Sequence, residues 1–206
     1  MKQINTIIFD LGGVLIGWSP EHVFTKVFNG DAEKAKWFIQ NICTLDWNEA
    51  QDAGRTIEEA NKVLTAKYPE YKTEILQYYG RWEEMLLGPI EGTVKILEYF
   101  VKNENYKVVA LTNWSSELFP IALQRYEFLQ WFEGIVVSGD EKTRKPFDDI
   151  YNICLERYNI TAENAIFIDD NHRNINAANN LGINGIHFES PEKLIEQLKP
   201  FNINII

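Results

Sequence analysis

The stretch Ile7-Ile8-Phe9-Asp10-Leu11-Gly12-Gly13-Val14-Leu15 constrains this chain more than any other. An apolar run stops at a single carboxylate, two glycines follow, and the chain then turns apolar again. Asn5 to Phe9 has the length and the Ile and Phe content of a buried strand. Asp10 then falls at its carboxyl end, the side on which open α/β sheets hold ligands. Gly12 and Gly13 let the backbone take a positive φ and let a phosphate or a metal ion come close to it. The same residues also fit a strand that closes in an ordinary turn, where Asp and Gly are common.

The rest of the chain falls into two rhythms. From Ser19 to about Leu87 apolar residues recur at helical spacing, over Glu21 to Phe28, Asp31 to Asn41, Thr56 to Lys67 and Tyr71 to Tyr79, and no strand is expected. Ser19-Pro20, Asp31 and Thr56 supply the helix starts. Trp18, Trp37, Trp47 and Trp82 lie in or beside this block, where large aromatic side chains anchor a small helical module. After Gly88-Pro89 helices alternate with strands. Strands are expected at Lys107 to Leu111, Ile135 to Val137, Ala165 to Ile168 and Gly185 to Phe188. Helices are expected at Thr93 to Lys102, Ser116 to Tyr126, Phe147 to Tyr158, Ile175 to Leu181 and Pro191 to Leu198. The alternation implies an α/β fold, a doubly wound parallel sheet of five strands, interrupted after its first strand by an all-helical insert. The expected domains are a core of residues 1–17 and 88–206 and a helical domain of residues 18–87.

With 45% apolar and 13% aromatic residues in a chain of 206, a packed interior is assured and disorder is excluded. Thirty acidic against twenty basic side chains give a net charge of −10, which disfavours nucleic acid and anionic membrane as partners. Cys43 and Cys154 fit no metal spacing and read as reduced, buried thiols of a cytoplasmic protein. Asp10 breaks the first apolar run and no small-residue cleavage site follows it, so no signal peptide is expected. No apolar stretch is long enough to span a membrane. A monomer or weak dimer is expected.

Three further strand ends carry polar residues. Val108-Val109-Ala110-Leu111 stops at Thr112-Asn113, whose hydroxyl and backbone N–H groups suit phosphate oxygens, although either residue also caps helices well. Lys145, held by Pro146 ahead of a helix, offers a positioned point charge for an oxyanion. Phe167-Ile168 ends in Asp169-Asp170, and two adjacent carboxylates behind a buried strand call for a cation. A hard divalent ion with oxygen ligands, Mg²⁺ above all, answers that need.

Taken in order, Phe9-Asp10-Leu11-Gly12-Gly13-Val14, Leu111-Thr112-Asn113, Lys145-Pro146 and Phe167-Ile168-Asp169-Asp170 resemble the four motifs of the haloacid dehalogenase-like (HAD) superfamily. The resemblance spans the whole chain, and the insert resembles that family's first-type cap. The stretches Asp46 to Arg55 and Leu111 to Ser115 are similar to a bacterial branch often labelled dehalogenase-like.

The resemblance implies a Mg²⁺-dependent phosphatase acting through an aspartyl-phosphate intermediate. In it Asp10 is the nucleophile, Thr112 with the Asn113 amide orients the phosphoryl group, and Lys145 neutralises charge. Asp170 binds Mg²⁺ directly, Asp169 stands beside it or acts through water, and the Gly12 carbonyl and Asp10 complete the set. An anionic carboxylate attacking an anionic phosphate depends on such positive charge and positioning.

One position departs from the pattern: where the family usually has a second aspartate as general acid and base, this chain has Gly12. Members with glycine there include phosphatases of small sugar phosphates. Substitutes for the missing proton donor are Glu21, His22, Glu49 and His172. Two alternatives stand beside the phosphatase: a metal-free 2-haloacid dehalogenase using the same aspartate, and a HAD-fold binding or regulatory domain. The Asp169-Asp170 pair argues against the first, because it would repel a haloacid carboxylate. Residues 15–88 carry eight basic and twelve acidic side chains, so the insert is no receptor for a large polyanion. A small phosphorylated metabolite is the expected substrate, with Trp18, Trp47 and Glu49 as pocket residues.

Overall fold

The computed structural model describes residues 3–205. Strand β1 (Thr6–Phe9) is buried at every position, as the apolar run Ile7-Ile8-Phe9 requires of a strand covered on both faces. The ribbon that follows pairs β2 (Ile16–Trp18) with β3 (Leu86–Pro89), antiparallel. The remaining strands are β4 (Lys107–Thr112), β5 (Gly134–Val137), β6 (Ala165–Asp169) and β7 (Asn184–His187). Together with β1 these four form a parallel sheet in the order β5-β4-β1-β6-β7. Phe9 lies level with Ala110 on one side and Ile168 on the other. The carboxyl ends of β1, β4 and β6 therefore share one edge, at the point where the strand order reverses.

Alternation along β1 divides the interior. Ile7 and Phe9 join Val108, Ala110, Ile166 and Ile168 in one apolar cluster, and Ile8 joins Val109, Leu111 and Phe167 in the other. Of the later helices, α6 (Glu91–Val101) and α11 (Pro191–Leu198) pack into the first cluster. The second is covered by α9 (Asp148–Arg157) and α10 (His172–Asn180). Two shorter helices, α7 (Phe119–Arg125) and α8 (Ser138–Glu141), follow β4 and β5.

Five helices fill the segment between β2 and β3: α1 (Pro20–Val27), α2 (Ala32–Asn41), α3 (Leu45–Asp52), α4 (Ile57–Lys67) and α5 (Lys72–Gly80). Four of the five starts are chemically specified. Ser19, Asp31, Thr44 and Thr56 each accept a backbone N–H from the first turn, and Thr56 with Glu59 forms a reciprocal capping box. Their centre is aromatic: the Phe24 ring stacks on Phe38 at 4.9 Å and leans on Tyr78 at 5.9 Å, and Trp47 meets Tyr78 edge-on at 5.2 Å. These residues belong to the same apolar cluster as one face of the sheet.

Several expectations need correction. The helical segment is bounded by a ribbon that the sequence does not announce. Its strands are three and four residues long and contain Gly17, Gly88 and Pro89, residues that ordinarily break strands. The expected boundaries at residues 18 and 87 lie on this ribbon, and between its strands the α-helices occupy residues 20–80, followed by a 3₁₀ turn at Trp82–Met85. Helix α3 lies where no helix was expected. Helix α7 begins at Phe119 rather than Ser116, because Pro120 favours a first turn and biases the preceding residues away from helix. Helix α10 starts three residues earlier than expected, capped by the Asn171 side chain, which accepts the Arg173 N–H at 3.0 Å. Cys43 and Cys154 are free and buried, and burial pushes the Cys154 thiol up to about 12. Among the described residues no helix is long and apolar enough to cross a membrane.

Candidate active site

At the carboxyl end of β1 the Asp10 amide donates to the Ile168 carbonyl at 2.8 Å, so the last ladder bond fixes this residue beside β6. Its carboxylate Oδ1 accepts the Leu11 N–H at 2.8 Å and faces Lys145 Nζ, also at 2.8 Å. The ammonium sits between two carboxylates, with Asp169 Oδ2 at 2.6 Å on its other side. Lys145 is only 1% exposed and Asp169 is fully buried. A buried charge is tolerated only when it is paired and fully hydrogen-bonded, and the surroundings meet that demand. Asn113 closes a two-bond ring with Lys145, accepting its N–H at 2.8 Å and donating to its carbonyl at 3.0 Å. Asp169 Oδ1 accepts the Asn171 N–H at 2.8 Å, and Asn174 Nδ2 reaches both Asp169 oxygens at 3.0 Å.

The electrostatics follow from this crowding. Burial raises the Asp10 carboxyl above the usual carboxylate range; Asp169 and Asp170 add to this and Lys145 opposes it. Asp170 is also raised, by burial and by Asp169. Burial alone would depress the Lys145 ammonium, but Asp10 and Asp169 reverse this and hold it above the ordinary lysine value. Carboxylate oxygens of Asp10, Asp169 and Asp170 all lie within 4.8 Å of one another. One lysine does not balance three carboxylates, and an all-oxygen donor set suits a hard divalent cation. Gly13 permits the arrangement: its φ is +76°, and a Cβ there would collide with the Asp170 carboxylate.

Beside this charge cluster, Thr112 at the end of β4 is 1% exposed, and its Oγ1 is buried with no partner among the described residues. A buried hydroxyl left unpaired costs about 1–3 kcal/mol, and Thr112 carries that cost at the carboxyl end of β4.

A cavity of about 230 Å³ opens onto Asp10, Gly12, Lys145 and Asp170. The helical block supplies its opposite wall. Leu45, Asn48, Glu49 and Asp52 face it from α3, at the i, i+3, i+4, i+7 spacing of a single helix face. Trp18, Tyr79, Trp82 and Trp114 add aromatic surface. Glu49 ties the two walls together: its Oε2 pairs with Arg144 at 2.7 Å and its Oε1 with Arg173 at 2.6 Å. Those arginines adjoin Lys145 and the Asp169–Asn171 turn.

A family model for haloacid dehalogenase-like hydrolases matches residues 7–188, which includes every residue of this cluster. The chain belongs to that family. It is a HAD-like hydrolase, as the four motifs imply. A phosphorylated carbohydrates phosphatase of Thermotoga maritima is 24% identical, over 89% of this chain and 84% of that protein. A drimenol cyclase of Aspergillus calidoustus is 24% identical over 95% of this chain, which spans only 36% of that protein's length. Among solved structures, a HAD family enzyme of Bacteroides thetaiotaomicron in complex with magnesium and inorganic phosphate shares the fold. Its TM-score is 0.69 at 24% identity, covering 91% of this chain and 95% of that one.

The residues expected from the HAD motifs are placed unevenly. Asp10, Gly12, Asn113, Lys145 and Asp170 line the cavity, as do Trp18 and Glu49. Asp169 and Thr112 are buried and do not line the cavity: the sheet register puts Asp169 level with Asp10 and Thr112 one residue beyond that level. Trp47 does not line the cavity. It turns into the aromatic centre of the helical block, where its Nε1 donates to the Ala60 carbonyl at 3.3 Å. Among the substitutes for the missing acid, Glu21, His22 and His172 also lie outside the cavity wall. His172 stacks on His187 with ring centroids 3.6 Å apart. Glu49 is there, but both its oxygens are committed to arginines. Sequence reasoning missed Asn174, which orients Asp169, and Asp52, on the cavity face of α3. The spacing of Leu45, Asn48, Glu49 and Asp52 was the available signal for the latter.

Proposed function

We propose that this HAD-like hydrolase is a Mg²⁺-dependent phosphatase of a small phosphorylated metabolite, with Asp10 as nucleophile and residues 20–80 as a cap. One observation carries the reading: a fully buried lysine bridges Asp10 and Asp169, with an unpartnered buried hydroxyl and a cluster of three carboxylates around the same strand ends. A site for a cation and a site for an anion thus share one nucleophile. The Thermotoga maritima relative, named for phosphorylated carbohydrates, and the magnesium and phosphate of the Bacteroides thetaiotaomicron structure support it. A cavity of about 230 Å³ suits a small substrate, since drug-sized ligands occupy roughly 300–1,000 Å³.

On this reading Asp10 Oδ attacks phosphorus, forming an aspartyl phosphate as the bond to the leaving oxygen breaks. Lys145 is held by Asp169 so that its charge faces the carboxylate that must meet an anionic phosphate. The Thr112 hydroxyl and the Asn113 amide hold phosphoryl oxygens in line with Asp10. Asp10, Asp170 and the Gly12 carbonyl would hold Mg²⁺, which when bound neutralises charge on the phosphoryl oxygens. Asp169, whose oxygens already accept from Lys145, Asn171 and Asn174, orients the lysine and adds its charge to the set. Three clustered carboxylates would repel the carboxylate of a 2-haloacid, which disfavours dehalogenation.

The test is release of phosphate from p-nitrophenyl phosphate and a panel of phosphorylated metabolites with Mg²⁺. Asp10→Asn, nearly the same shape but a poor nucleophile, is expected to lose turnover while keeping its circular dichroism and melting temperature. Mg²⁺ should raise the melting temperature of the parent protein, by an amount equivalent to about 2.7 kcal/mol at a hundred times its dissociation constant. Halide release from a 2-haloacid with no phosphate release would replace this reading with the dehalogenase.

A further inference from the structure

We propose that Asp52 is the general acid and base of this site, acting from the helical block in place of the carboxylate that Gly12 does not provide. The assignment rests on the phosphatase reading above. It begins from a gap: an alkoxide leaving group needs a proton, and the water that later attacks the aspartyl phosphate must lose one. Gly12 does neither, Lys145 is locked between two carboxylates, and Glu49 is locked between two arginines.

Asp52 differs from all of these. It lines the same cavity as Asp10, three residues beyond Glu49 on the face of α3 that looks at the sheet edge. Among the described residues its carboxylate accepts one hydrogen bond, a long one of 3.4 Å from Asn48 Nδ2. That amide is oriented in turn by the Tyr79 hydroxyl, which donates to Asn48 Oδ1 at 3.0 Å. Asp52 is thus positioned yet not saturated, as a group must be if it is to exchange a proton with a ligand. The charges around it are Glu49 on its own helix, and Arg144 and Lys145 from the loop ahead of α9. The Tyr78 and Tyr79 phenols face it from α5. Burial, with Glu49 adding and Arg144 and Lys145 opposing, raises its carboxyl to about 7. Both protonation states are then populated near neutrality, where general acid–base catalysis is most effective.

In the first step Asp10 Oδ forms a bond to phosphorus, the bond from phosphorus to the ester oxygen breaks, and that oxygen takes the Asp52 proton to leave as an alcohol. In the second, Asp52 takes a proton from water as the water oxygen bonds to phosphorus. The bond between phosphorus and Asp10 breaks, phosphate departs, and Asp52 is again protonated.

The experiment compares the parent enzyme with Asp52→Asn on an alkyl phosphate and on p-nitrophenyl phosphate, with Mg²⁺, across pH 5–9. Loss of the proton donor should lower kcat/KM for the alkyl ester by about 10²–10⁴-fold. The nitrophenyl ester, whose leaving group needs no proton, should show a smaller loss in the first step, with a burst of nitrophenol ahead of slowed dephosphorylation. The parent's fall in alkyl-ester kcat/KM above about pH 7 should disappear. Equal losses on both esters with an unchanged pH profile would make Asp52 structural and overturn the assignment, as would full activity. If Asp52→Asn folds poorly, Asp52→Glu is read instead, and retention of the alkaline limb with a shifted midpoint supports the proposal. A parent enzyme inert toward both esters would remove the phosphatase reading itself, a result distinct from any behaviour of the variants.

Discussion

The two walls of the cavity are built on opposite principles. At the sheet edge the buried charges are fixed: Lys145 and Asp169 are buried, and Asp169 alone engages Lys145, Asn171 and Asn174. On α3 the holding is uneven, with Asp52 on one long hydrogen bond and Glu49 committed to two arginines, of which Arg173 is half exposed. The edge supplies preorganised charge, which is worth most when nothing must move at the moment of reaction. On the proposed reading the helical wall engages and releases substrate, and its Asp52 is left with little to hold it. Substitutions on the two sides should therefore fail in different currencies, stability on one and binding on the other.

The largest effect is expected at Lys145. Lys145→Met removes the ammonium and leaves Asp10 and Asp169 as neighbouring buried carboxylates without a cationic partner. Breaking a buried pair in this way costs about 3–5 kcal/mol. In a chain of this length each kcal/mol lowers the melting temperature by roughly 2–4 °C, so calorimetry should show a drop of roughly 6–20 °C together with loss of turnover. A melting temperature within a degree or two of the parent would mean that the edge is not held by this lysine.

The same contrast decides what was legible in the sequence. The strands β1, β4 and β6 are covered on both faces, so they appear as uninterrupted apolar runs, and the polar residues ending them stand out. Asp10, Thr112 and Asp169-Asp170 could be read for that reason. Helix α3 was invisible because its polar face, with Asn48, Glu49 and Asp52, looks into a cavity rather than at solvent, and its apolar face contributes little besides Trp47. Direction was the harder problem. Successive helical residues differ by about 100° in heading, so Trp47 enters the block's centre while Asn48 faces the cavity. The ribbon of β2 and β3 was hidden by Gly17, Gly88 and Pro89, whose usual meaning is a break.

Glu49→Gln tests the helical wall. It keeps the shape and one acceptor but removes the charge that joins Arg144 and Arg173. Arg173 is half in water and contributes little, whereas Arg144 is mostly buried, so the loss should be about 1–2 kcal/mol. If the helical block closes over substrate as a cap, that loss appears in KM, as a roughly tenfold rise for each ~1.4 kcal/mol, with kcat little changed. A fall in kcat at constant KM in steady-state kinetics would instead give Glu49 a part in the chemistry.

The smallest effect separates the walls most finely. Thr44 caps α3, its Oγ1 accepting the Trp47 N–H at 3.3 Å, and it does not itself line the cavity. Thr44→Ala should cost about 1 kcal/mol, the usual value of such a cap. Where that cost appears depends on how the two regions are coupled. Phe24, Phe38, Trp47 and Tyr78 belong to the same apolar cluster as Phe9 and Phe100 of the sheet side. A continuous core predicts one cooperative transition, so the single melting temperature should fall by roughly 2–4 °C. Amide exchange should then rise together in α3 and in β1. If exchange rises in α3 alone while the sheet amides and the melting temperature hold, the block opens as a separate unit. The contrast between a fixed edge and a loosely held wall would then extend from single side chains to the whole helical segment.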